Sequence, residues 1–123
     1  MMKKILIVDD QAKIRELVQV TVRIGNYEIY QAASGDEAVK VAREQHPDLI
    51  FLDVMMPNSS LNGFEVCEIL KKDDRTKGAH ILMLTALTHD NDIKRGEEVG
   101  ADGYFTKPFS PLELMNKVEE ILG

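Results

Sequence analysis

Four short strand-like runs in this chain each end on a group that can do chemistry. Ile5-Leu6-Ile7-Val8 ends in Asp9-Asp10, and Leu49-Ile50-Phe51-Leu52 ends in Asp53. Ile81-Leu82-Met83-Leu84 ends in Thr85, and Tyr104-Phe105-Thr106 ends in Lys107. Acids, a hydroxyl and an amine at the carboxyl ends of successive strands would meet on one edge of a parallel sheet, where open α/β sheets bind ligands. Three carboxylates brought within about 4–6 Å repel by roughly 4 kcal/mol per pair at 4 Å and an effective dielectric near 20. Lys107 supplies one positive charge, too little for three acids. A hard divalent cation with oxygen ligands would balance the rest, and Mg2+ suits a site with few carboxylates and several waters. A carboxylate beside such a cation and an ammonium is equipped to attack a phosphoryl group in line. Lys107 would neutralise phosphoryl oxygens, and the Thr85 hydroxyl could donate to one. The plainer alternatives are helix N-terminal acids for Asp9 and Asp10, and a strand-end bond to the backbone for Thr85.

Along the chain, strand-like and helical patterns alternate five times, which predicts an α/β fold with a parallel sheet and helices on both faces. The first helix shows Ile14, Leu17, Val18, Thr21 and Ile24 as a stripe, with Gly25 as its stop. Ser34-Gly35-Asp36-Glu37 and Ser110-Pro111-Leu112-Glu113 read as capping boxes opening the second and fifth helices, and His46-Pro47 closes the second. The third helix begins near Asn62-Gly63 with Val66, Ile69 and Leu70 on one side; the fourth runs from about Asp90 to Val99, with Gly100 as its stop. The first, third and fourth strands are continuously apolar, as expected when both faces are buried. Tyr27–Ala32 and Asp102–Thr106 mix polar with apolar residues, so they belong at the sheet edges. That division suits a doubly wound sheet of order 2-1-3-4-5, whose switch point sets Asp9 and Asp10 beside Asp53.

At 123 residues the chain is read as one domain, 1–123. A net charge of −6 disfavours direct binding to nucleic acid or an anionic membrane. No apolar stretch approaches the roughly 18 residues of a membrane-spanning helix. The opening Met1-Met2-Lys3-Lys4 meets two aspartates too soon to be a signal peptide, so the cytoplasm is the expected compartment. Cys67 stands alone, which leaves no disulfide framework or cysteine zinc site, and reads as small filler on a helix. His46, His80 and His89 are too scattered for a metal centre.

Together these residues resemble the receiver domain of two-component response regulators, a CheY-like, flavodoxin-like (βα)5 fold, over essentially the whole chain. The signature is Asp9-Asp10, then Leu52-Asp53-Val54-Met55-Met56-Pro57, Gly63-Phe64-Glu65, Thr85-Ala86, Gly100-Ala101-Asp102-Gly103-Tyr104 and Lys107-Pro108-Phe109. The resemblance implies that Asp53 accepts a phosphoryl group from a sensor histidine kinase or histidine phosphotransfer protein. It implies Mg2+ held by Asp10, Asp53 and the Met55 backbone carbonyl, with Asp9 acting largely through water. Lys107 would contact the phosphoryl group, and Lys107-Pro108 would be a cis peptide. Thr85 and Tyr104 match the switch pair: the hydroxyl moves to the phosphoryl group and the aromatic turns inward. The reshaped face of the fourth helix, fifth strand and fifth helix would then control a downstream protein or a covalently linked effector. A receiver autocatalyses its own phosphorylation and dephosphorylation and is a switch rather than an enzyme.

The chain departs from the pattern at Asn58-Ser59-Ser60-Leu61-Asn62, about two residues longer than the usual loop, which could cover the acceptor, alter docking or be plain surface variation. Met55 and Leu87 are apolar at positions that influence phosphoaspartate hydrolysis, so a comparatively long-lived phosphorylated state is expected. Lys94, Arg95, Asp102, Glu113 and Lys117 form either a solvated face or a two-fold homodimer contact. A flavodoxin-type electron carrier is disfavoured by Asp9-Asp10-Gln11, which would repel phosphate without a metal. A haloacid-dehalogenase-like phosphatase needs a second acid where Met55 stands, and a non-phosphorylated module would be expected to lose part of the acid, hydroxyl and lysine set. The sequence ends just after the fifth helix, which suits a stand-alone receiver or one belonging to a longer regulator.

Overall fold

The computed structural model describes residues 2–23, 25–57, 59–85 and 90–123, the side chains of 90–92 aside. Its elements are β1 (Lys3–Val8), α1 (Ala12–Val22), β2 (Tyr27–Ala32), α2 (Gly35–Gln45), β3 (Leu49–Asp53), α3 (Gly63–Lys72), β4 (His80–Thr85), α4 (Asp90–Glu98), β5 (Gly103–Thr106) and α5 (Pro111–Leu122). All strand pairs are parallel, in the order β2-β1-β3-β4-β5. The mixed strands β2 and β5 are the edges, and every residue of β3 is buried.

Successive strand residues point to opposite faces, so each continuous apolar run feeds two cores. Leu6, Val8, Ile50, Leu52 and Met83 pack with Ala38, Ala42, Val66 and Leu70 of α2 and α3. Ile5, Ile7, Leu49, Phe51 and Leu84 pack with Val18, Val22, Leu114 and Val118 of α1 and α5. Cys67 is fully buried in the first of these cores.

Local signals behave unevenly. Ser34 and Ser110 accept from the amides of Glu37 and Glu113, the serine half of the expected boxes. The complete reciprocal box is recorded at α3: Asn62 Oδ1 accepts from the Glu65 amide at 2.9 Å, and Glu65 Oε1 accepts from the Asn62 amide at 3.0 Å. His46 closes α2 in the left-handed region at φ 52°, its Nδ1 3.0 Å from the Arg75 carbonyl oxygen. In α1 the buried positions are Val18, Thr21 and Val22, whereas Leu17 is 40% exposed. The expected stripe is thus rotated slightly about the helix axis, leaving Leu17 on the shoulder facing α5. Ile24 lies outside the described residues.

Candidate functional site

Strand ends set the site. Asp9 follows β1, Asp53 is the last residue of β3, Thr85 the last of β4, and Lys107 follows β5. Because β1 and β3 are neighbours, Asp9, Asp10 and Asp53 come together, each offering a carboxylate oxygen within 4.8 Å of the others. Asp9 is fully buried, Asp53 nearly so, and Asp10 partly exposed. Lys107 reaches across β3 and β4 to both inner acids: its Nζ lies 2.8 Å from Asp9 Oδ2 and 3.3 Å from Asp53 Oδ1. The Lys107 amide donates to the Thr85 carbonyl at 2.8 Å, which locks the end of β5 to that of β4. The Lys107-Pro108 peptide is cis.

The electrostatics follow from burial and charge count. Burial raises the Asp53 carboxyl first, the neighbouring Asp9 charge raises it further, and together they outweigh Lys107 and the Met55 amide. Its pKa stands at about 6. Burial alone would lower the Lys107 ammonium, but its hydrogen bond to Asp9 and the charges of Asp53 and Asp9 raise it above the ordinary lysine value. One ammonium among three carboxylates leaves a deficit that a divalent cation fits, and the donors are the hard oxygens Mg2+ prefers.

The backbone around the acceptor is closely packed. The Met55 amide donates to Asp53 Oδ1 at 3.3 Å, and Met55 is 60% exposed. Behind it, a Cβ on Gly63 would fall on the Asp53 carbonyl and 2.8 Å from Val54 Cα, so α3 starts against the acceptor strand only because residue 63 lacks a side chain. Beyond Met55, Ser59 Oγ accepts from the Gly35 amide at 2.8 Å and donates to the Leu61 carbonyl at 2.7 Å. Ser60 donates to the Asp36 carboxylate. The described part of the longer loop is therefore tied to the start of α2. Asn58, Ala86, Leu87 and His89 lie outside the described residues.

Two participants have no local signature in the sequence. Arg15 on α1 donates to the Asp9 carbonyl at 2.7 Å and to Gln31 Oε1 at 3.1 Å, bracing the acidic loop. The N-cap of α1 is Gln11, whose side chain makes no cap bond, while Asp9 Oδ1 accepts from the Gln11 amide at 2.9 Å. Tyr104 of β5 is half-buried, and its hydroxyl donates to the Ile93 carbonyl of α4. In the charged face on α4, β5 and α5, several groups have partners within the chain. Asp102 pairs with Lys71 at 2.7 Å, Lys117 with Glu120 at 3.6 Å, and Arg95 stacks 5.2 Å over Phe64.

Residues 5–119 match the family model described as the response regulator receiver domain. The alkaline phosphatase synthesis transcriptional regulatory protein PhoP of Bacillus subtilis is 46% identical over 122 residues, which is 99% of this chain and 49% of that protein. The phosphate regulon transcriptional regulatory protein PhoB of Pseudomonas aeruginosa is 44% identical over 120 residues, 98% of this chain and 52% of that protein. The solved structure of the chemotaxis protein CheY4 of Vibrio cholerae aligns with a TM-score of 0.92 at 37% identity, covering 99% of this chain and 100% of that one. The chain spans about half the length of the curated relatives it matches. Among the described residues, no helix is long and apolar enough to cross a membrane.

Proposed function

Because this chain belongs to the response regulator receiver family of two-component signalling, we propose that Asp53 is its phosphoacceptor. The observation that carries this is the position of Asp53: buried at a strand end, grouped with Asp9 and Asp10, and 3.3 Å from the Lys107 ammonium. The donor is a phosphohistidine on a sensor kinase or phosphotransfer protein. A carboxylate oxygen of Asp53 attacks phosphorus, the P–N bond breaks, and the imidazole leaves with its electron pair. Lys107 neutralises charge on the transferred group, and Asp9 holds Lys107 in place. Receiver domains of this family bind Mg2+ at an acidic cluster; here Asp10, Asp53 and the Met55 carbonyl would hold it, with Asp9 in the surrounding shell. Bound there, the cation would supply electrostatic stabilisation of the phosphoryl oxygens.

Once Asp53 is modified, the Thr85 hydroxyl binds a phosphoryl oxygen and Tyr104 turns toward the space beside it, shifting a two-state equilibrium. The face built from α4, β5 and α5 then engages a downstream protein, a second copy of the chain or a covalently linked effector in the cytoplasm. Direct nucleic-acid binding is not assigned to this acidic domain. Loss of the phosphoryl group by autocatalysed hydrolysis is comparatively slow, because apolar Met55 and Leu87 stand at the two positions from which a side chain could assist the attacking water. The decisive experiment treats wild type and Asp53→Asn with acetyl phosphate, with and without Mg2+, and reads intact mass. A Mg2+-dependent phosphoryl adduct in wild type alone is expected; an adduct on the variant would assign the acceptor elsewhere. For lifetime, Met55→Asn should lose phosphate faster than wild type, and equal rates would remove that role.

A further inference from the structure

Among its described side chains, the helix α4 has little with which to hold the sheet. Among residues 93–98, Gly96 alone is buried; Ile93 is 36% exposed, Lys94, Glu97 and Glu98 face solvent, and Arg95, also exposed, reaches the Phe64 ring of α3. A nine-residue helix is too short to be stable without packing. What occupies the place of the missing side chain is the ring of Tyr104. A Cβ on Gly96 would lie 2.8 Å from Tyr104 Cζ and 2.9 Å from Cε1, and closer still to the hydroxyl oxygen. That hydroxyl donates to the carbonyl of Ile93, three residues earlier, so the ring spans one turn of the helix. Val99 and Ala101 join Tyr104 against the buried core.

We propose that Gly96 is a slot for Tyr104, and that the seated ring fastens α4 to the sheet. Ring position and helix docking then form one two-state element. The slot is a property of the resting fold; its use as a switch rests on the function proposed above. In the β4–β5 register Met83 is opposite Tyr104 and Thr85 opposite Thr106. Alternate residues of a strand share a face, so Tyr104 and Thr85 lie one step apart on the same face. A ring drawn toward Thr85 vacates the slot and releases α4 in the same movement.

The sign of one substitution tests this. By helix propensity alone, Gly96→Ala would slow hydrogen exchange of the α4 amides about fivefold. The slot predicts the opposite: the methyl expels the ring, and α4 amides exchange at least about threefold faster in the unphosphorylated protein. Fluorine NMR of fluorotyrosine-labelled protein reads the three tyrosines, Tyr27, Tyr30 and Tyr104. With the Tyr104 signal assigned through Tyr104→Phe, Gly96→Ala should move that signal and leave the other two. Tyr104→Ala should also speed α4 exchange. Adding Gly96→Ala to Tyr104→Ala should slow it again, because the methyl enters an empty slot. Slower α4 exchange in Gly96→Ala with an unmoved Tyr104 signal would overturn the slot, as would unchanged exchange in Tyr104→Ala, a comparison that holds even if Gly96→Ala does not fold. Acetyl phosphate with Mg2+ then tests the switch separately. Movement of the wild-type Tyr104 signal toward its Gly96→Ala position supports coupling to phosphorylation. Confirmed phosphorylation with an unmoved signal overturns the switch and leaves the slot standing.

Discussion

Removing one charge from the acidic cluster should strengthen the metal-free fold. In Asp53→Asn the amide oxygen can still accept from the Met55 amide and from Lys107, so the change is mainly electrostatic. Asp9 and Asp10 each lie within 4.8 Å of Asp53; at an effective dielectric near 20, each repels it by about 3.5 kcal/mol at that distance. Lys107 at 3.3 Å attracts it by about 5 kcal/mol on the same scale. The two repulsions exceed the attraction by about 2 kcal/mol. Proton linkage gives a similar size. The Asp53 carboxyl rises from 3.8 to about 6 on folding, and at about 1.36 kcal/mol per pH unit this is at most about 3 kcal/mol. The sign is fixed by proton counting: between these two values the folded state holds more proton than the unfolded one, so wild-type stability falls as pH rises through the window. Above it, ionised Asp53 is a full liability. Urea titrations in EDTA should therefore place the Asp53→Asn midpoint about 1 M above wild type at pH near 7.5, with an unchanged slope. The gain should shrink toward zero as pH approaches 4. A midpoint equal to or below wild type at neutral pH, or a gain independent of pH, would exclude net repulsion at Asp53.

Other substitutions probe the neighbouring groups. Lys107→Met leaves Asp9 buried without its cation and should destabilise the metal-free protein by about 3–5 kcal/mol; urea unfolding in EDTA reads the loss, and Mg2+ should recover part of it. Gly63→Ala drives a methyl into the Asp53 and Val54 backbone, an overpacking cost of about 1–3 kcal/mol measurable as a lower thermal midpoint. Asn62→Ala removes the side-chain half of the α3 capping box and should cost about 1 kcal/mol in the same assay.

The sheet order and the meeting of Asp9, Asp10 and Asp53 were legible because they depend on coarse patterns. Continuously apolar runs mark central strands, mixed runs mark edges, and the order then decides which strand ends are neighbours. The missing pieces are contacts between elements far apart in the chain. Nothing near Arg15 announces that it braces the Asp9 carbonyl, and nothing near Lys71 announces Asp102. Leu17 and Ile69 fit helical stripes but are not among the buried residues, because periodicity gives the face of a helix without its exact rotation against the sheet. The seat of Tyr104 was hidden for another reason: Gly96 carries no side chain, and its meaning lies in what fills the space.

The ion pair between Lys107 and Asp9 joins residues 98 positions apart, which directly follow the first and the last strands. Closing a loop of that length costs about 4 kcal/mol in chain entropy, beyond a constant, which takes most of the roughly 6 kcal/mol that the pair at 2.8 Å offers at an effective dielectric near 20, before the cost of desolvating both charges. The pair therefore gains little until the sheet has brought its members together. The site is therefore expected to complete late in folding, after β3 and β4 have been laid between its two ends; φ-values near zero at Lys107 would support that order, and values near one would exclude it. A chain that has made only β1 and β3 of its sheet carries the acids without their lysine.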